Sequence, residues 1–231
     1  MSILQKHQTP SGKSSEPVAG SELAAGAFSS WLRAMRASLA GGPGMDVACG
    51  DCVGCCTSSY YIKVRAHESA ALERIGAARL EPAPGGKGHR LMGYDERGHC
   101  HMFVNGGCSI YQDRPETCRT YDCRLFSASG MKAGGDDKSV INNRVARWRF
   151  SFPTDQDRDE QRAVTAAANF LRQHPVRFPG GHIPSRPSEI AVLAVKTYQV
   201  FLKPPPTDAQ ISAALVEAAI EFDRAATNPR G

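Results

Sequence analysis

Apolar residues follow three regimes along the chain. Leu23, Ala27, Phe28, Trp31, Leu32 and Met35 recur at helical spacing, with Ser21 in the N-cap position and Gly41 as a stop, so the pattern predicts a leading helix. The middle of the chain loses that period. Residues 60–65 read as a strand and 67–80 as a short helix; 81–88 is a Pro/Gly-rich loop. Apolar pieces at 90–94, 100–104 and 108–111 are separated by turn residues, and two of them read as hairpin strands. Pro115 opens a helical turn or two ending near Cys123, residues 130–137 form a connection, and 140–152 read as a strand or as a loop packed through Trp148 and Phe150.

Helical periodicity returns in the last third. One helix over 159–172 stops before Pro175, a second over 187–202 stops at Pro204, Pro205 and Pro206, and Thr207 with Gln210 forms a capping-box pattern for a third. Ile211, Leu215, Ala218, Ala219 and Phe222 then follow along one side. The expected architecture is α+β: a small Cys-rich core with short strands, flanked by an N-terminal helix and C-terminal helices. Its organisation reads as a tail over 1–20, a cysteine-cluster segment over 21–126 that includes the leading helix, and a mainly helical region over 127–231 packed on it.

Composition narrows the function classes. The 231 residues are 41% hydrophobic and 22% charged, and no long apolar run is present, which argues against a membrane-spanning helix. Lys and Arg number 28 against 23 Asp and Glu, a net +5 that does not require a nucleic-acid partner. The basic, aromatic run from Arg144 to Phe150 has base-stacking residue types, yet a strand turning Ala146, Trp148 and Phe150 inward explains it more cheaply. Residues 1–20 are polar and rich in Ser, Pro and Gly, and are expected to be a disordered tail. They contain no apolar signal-peptide core, so a cytoplasmic protein with reduced thiols is expected. The Ala-rich C-terminal helices offer a face for a protein partner, although core packing is their default use.

All eight cysteines lie between Cys49 and Cys123. Cys49, Cys52, Cys55 and Cys56 form a CxxCxxCC run, and Cys100, Cys108, Cys118 and Cys123 follow. Two intervening residues let a tight turn aim two sulfurs at one point, while Gly50 and Gly54 allow backbone amides to approach them. Such a thiolate set suits zinc, an iron–sulfur cluster or copper(I), as two four-ligand centres or as one with spare cysteines. Thiolate ligands accumulate negative charge, and Arg114, Arg119 and Arg124 lie among the last cysteines as candidates to balance it. His99 and His101 flank Cys100 as further candidate ligands or hydrogen-bond donors. Competing readings of the cysteines are buried thiols or disulfides, thiol–disulfide exchange at one CxxC, and a nucleophilic Cys100.

The CxxCxxCC run, followed by Cys100 and then Cys108-x-Ile110-Tyr111-x-x-Arg114-Pro115-x-x-Cys118-Arg119-x-Tyr121-x-Cys123, resembles the YkgJ-type CxxCxxCC cysteine-cluster family over about residues 49–126. That family is described as zinc- or iron-chelating. The resemblance implies metal-ligand roles for Cys49, Cys52, Cys55, Cys56, Cys100, Cys108, Cys118 and Cys123. It implies supporting roles around the metal for Tyr111, Arg114, Pro115, Arg119 and Tyr121. A flagellin lysine N-methylase is similar in its cysteine motif. The implied cofactor is therefore zinc, iron or a [4Fe-4S] cluster. The alternative function is a redox, electron-transfer or modifying enzyme built on an iron–sulfur centre.

Overall fold

The computed structural model describes residues 21–45, 47, 52–84 and 86–227. The expected tail over 1–20 and Cys49 lie outside the described residues. The chain is a mixed α+β structure of short strands and longer helices.

Residues expected to begin the leading helix instead form strand β1, Leu23–Ala27, and helix α1 covers Phe28–Leu39. The helical spacing read from Leu23 onward is real only from Phe28, where Phe28, Trp31, Leu32 and Met35 are buried. Ser21 is therefore not the cap. The N-cap residue Ala27 offers no side-chain acceptor, and the Asp157 carboxylate accepts from the Ser29 amide at 2.8 Å instead. A cap supplied from a distant part of the chain cannot be read from local spacing.

After a 3-10 turn over Gly54–Cys56 come β2 (Ile62–Val64), α2 (Ser69–Ile75), β3 (Leu80–Pro82) and β4 (Arg90–Met92). β4 pairs antiparallel with both β2 and β3, placing Met92 opposite Ile62 and Leu80. The Pro/Gly loop expected from residue 81 is shortened at its start, because Glu81 and Pro82 belong to β3. β5 (Phe103–Val104) and β6 (Gly107–Cys108) form the expected hairpin. Asn105 and Gly106 both have positive φ, the conformation that a two-residue turn matching the strand twist requires.

α3 (Glu116–Thr120) follows Pro115 as the sequence suggests. α4 (Arg124–Ser129) starts directly after Cys123, α5 covers Ser139–Val145, and β7 covers Trp148–Ser151. The stretch over 140–152 is thus a helix and then a strand. β7 pairs with β1 in parallel, with Trp148 opposite Leu23. α6 (Asp155–Gln173), α7 (Pro187–Thr197) and α8 (Asp208–Thr227) are the expected C-terminal helices.

Among the described residues, two apolar clusters result. The larger one joins Phe28, Trp31 and Leu32 of α1 to Leu125 and Phe126 of α4, Val164 and Ala168 of α6, Ala194 and Val195 of α7, and Leu215 of α8. The smaller one lies under the three-stranded sheet and contains Ile62, Val64, Ile75, Met92, Met102 and Ile110. Cys55 and Cys123 pack against the larger cluster, and Cys100, Cys108 and Cys118 against the smaller.

Candidate metal centre

The 3-10 turn holding Cys55 and Cys56 is set by Gly54. A Cβ at Gly54 would stand 3.0 Å from Ile141 Cγ1 and 3.4 Å from the Ile141 amide nitrogen, so any side chain here requires the turn or Ile141 to give by a few tenths of an ångström. The turn closes through Cys56 N–H to the Val53 carbonyl at 2.9 Å, and the Thr57 hydroxyl donates to the same carbonyl. Cys55 and Cys56 then separate. Cys55 packs against the larger apolar cluster, whereas the Cys56 carbonyl accepts the Cys100 amide at 2.7 Å and ties the turn to the small-sheet side.

Cys100, Cys108 and Cys118 all pack against the smaller cluster. Cys100 forms an isolated bridge with Tyr94, Cys108 ends the β5–β6 hairpin, and Cys118 lies in α3. Burial pushes the Cys118 thiol up to about 12, and negative charge on Cys100, Cys56 and Cys108 pushes the same way; Arg114 opposes them. Burial also raises Cys100, against the Met102 amide that donates to its sulfur at 3.5 Å. Four thiols thus share one electrostatic neighbourhood.

Cys123 belongs to the other side, against the larger cluster with Cys55. The Trp148 indole Nε1 donates to Cys123 Sγ at 3.2 Å. On its N-terminal side, the buried Asp122 carboxylate accepts from Trp31 Nε1 at 2.9 Å and pairs with Arg124 at 2.7 Å. Tyr60 and Tyr121 meet hydroxyl to hydroxyl at 3.2 Å. Burial raises both phenols, and the Cys55 and Cys123 thiols add to the rise, so both stay neutral. Lys138 reaches the Ser58 carbonyl, pairs with Asp137 and lies over the Tyr60 ring, fastening this wall to the start of α5.

The remaining residues singled out from the sequence are placed as follows. Arg114 donates to the Tyr111 carbonyl at 2.8 Å and stacks on the Tyr111 ring, which is about half exposed. Arg119 donates to the Arg114 carbonyl at 2.8 Å and faces Glu68 at 4.0 Å, so it braces the loop that carries Arg114. His99 stacks edge-on against Phe103, and its amide donates to Asp95. Cys52 is half-buried beside the 3-10 turn. Local spacing did not single out Trp148 as a sulfur donor, nor Glu68, Asp122 or Lys138 as braces, because each acts across a long sequence separation.

No two of the described cysteines are joined by a disulfide. Residues 48–143 match the CxxCxxCC family. Its model is described as "Putative zinc- or iron-chelating domain", a likeness that supports metal binding in general. No curated protein and no solved structure matches the chain. The donor types fit a soft or borderline metal: cysteine sulfurs from two separate stretches of chain, N–H donors on Cys100 and Cys123, and a guanidinium near Cys118. Among the described residues, no group of three or more His, Cys, Asp or Glu side chains is drawn together tightly enough to hold a metal ion. Nor is any helix among them long and apolar enough to cross a membrane.

Proposed function

We propose that the protein holds zinc or iron through its cysteines, and that Cys56, Cys100, Cys108 and Cys118 form one ligand group while Cys55 and Cys123 belong to another. The observation that carries this reading is the packing of Cys100, Cys108 and Cys118 against one apolar cluster, with Cys56 tied to Cys100 through its carbonyl and felt electrostatically at Cys118. Metal binding would draw these sulfurs inward and displace their protons, exchanging four half-buried thiols for thiolates neutralised by the cation. Arg114 would balance part of the remaining negative charge, with Tyr111 and Arg119 holding Arg114 in place. When bound, the metal supplies a cross-link between the CxxCxxCC run and the hairpin-to-α3 segment; an iron–sulfur cluster would add redox chemistry. A donor set made of cysteines alone, closed around the metal, would favour a structural or metal-handling role over turnover.

The test is anaerobic purification, elemental analysis per chain, and visible absorption before and after dithionite. Stoichiometric zinc or iron in the wild type, with metal lost in both Cys100→Ser and Cys118→Ser, supports the ligand group. Iron and sulfide with a band that bleaches on reduction would place the protein in the iron–sulfur, electron-transfer branch. Full metal content in both variants would overturn the assignment.

A further inference from the structure

We propose that Trp148, which lies outside the span matched by the CxxCxxCC family, is a positioning residue that aims and tunes the Cys123 sulfur as a metal ligand through its indole N–H. The inference rests on the reading that Cys123 is a ligand. An indole N–H can only donate, and among the described residues it donates to Cys123 Sγ at 3.2 Å. Trp148 is 8% exposed, so this donor is withdrawn from solvent. A thiol sulfur accepts weakly, whereas a thiolate accepts well, so the site is organised for the form that binds metal.

Two further features hold the donor in place. The β1–β7 register sets Trp148 opposite Leu23, and the Leu23 amide donates to the neighbouring Arg147 carbonyl at 2.9 Å. The guanidinium carbons of Arg144 and Arg124 lie 5.2 and 5.7 Å from the ring centroid, where their charge draws electron density from the ring and strengthens the N–H as a donor. Arg124 also pairs with Asp122 beside Cys123, so the same cation steadies the donor and the backbone that carries the acceptor. Part of the metal site is thus built by the scaffold beyond residue 143.

The proposal is tested with cobalt(II) as the spectroscopic probe, using the full chain as wild type, Trp148→Phe and Cys123→Ser. Removing the N–H makes the sulfur more electron-rich. Trp148→Phe should therefore move the sulfur-to-cobalt charge-transfer band to longer wavelength, and loss of the bond that orients the sulfur should weaken cobalt(II) affinity by about 10-fold. Cys123→Ser should lose band intensity. An unshifted band and unchanged affinity in Trp148→Phe, alongside lost intensity in Cys123→Ser, would overturn the role of Trp148 and leave Cys123 a ligand. Full intensity in Cys123→Ser would remove Cys123 from the ligand set, and the proposal with it. Should Trp148→Phe fail to fold, the wild type loaded with a spin-active cadmium isotope decides the matter: scalar coupling between the metal and the Trp148 indole proton supports the bond, and its absence overturns it.

Discussion

Asp122 is the most committed single residue near the cysteines, with a fully buried carboxylate shared by Trp31 and Arg124. Asp122→Asn keeps the shape and removes the charge, leaving the mostly buried Arg124 without its counter-ion. Breaking such a pair should cost roughly 3 kcal/mol, read as a lowered urea midpoint. Cys118 makes a different prediction. Burial pushes its thiol up to about 12, so zinc must displace a proton to bind. Apparent zinc affinity should therefore rise about tenfold per pH unit for each proton released. Calorimetry in buffers of different ionisation enthalpy counts those protons, and a count of zero would contradict ligation by Cys118.

Elements place the sulfurs, and their contacts with one another are where sequence reading succeeded unevenly. The Gly54 turn abuts α5, so Gly54→Ala should push Cys55 and Cys56 away from Ile141. Lower metal content per chain and a lower melting temperature are expected; unchanged values for both would show that the turn tolerates displacement. The β5–β6 hairpin, α3 and the three C-terminal helices were legible because Asn105-Gly106, Pro115, Thr207 and the flanking prolines act locally. β1 was not, since Leu23 to Ala27 carries Ala-rich helical spacing and becomes a strand only by pairing with β7. α4 went unseen because Cys123 looked like the end of the motif rather than the N-cap of a helix. The thiols themselves were plain in the sequence. The division of Cys55 from Cys56 and the donor on Cys123 depend on tertiary packing, which spacing does not encode.

At the scale of the molecule, one carboxylate joins the first helix to the sixth. Asp157 accepts from Thr154, the N-cap of α6, and from the Ser29 amide of α1, and these bonds hold its carboxyl below the ordinary value of 3.8. A depressed native value stabilises the fold above that ordinary value, and the contribution is lost as pH falls through the native one. Urea midpoints taken downward from about pH 5 should drop less steeply in Asp157→Asn than in the wild type. The larger core gives a related expectation. Leu125, Phe126 and Ile141 pack in one cluster with residues of α1 and α6, so a fragment limited to residues 48–143 would expose them. Circular dichroism should show no cooperative thermal transition in that fragment. The β1–β7 pair also bears on biosynthesis. Leu23 leaves the ribosome long before Trp148, and every cysteine emerges between them. The nascent chain therefore carries all its thiols while the strand that will shield Cys123 is still unmade, and during that interval they depend on the reducing power of their surroundings.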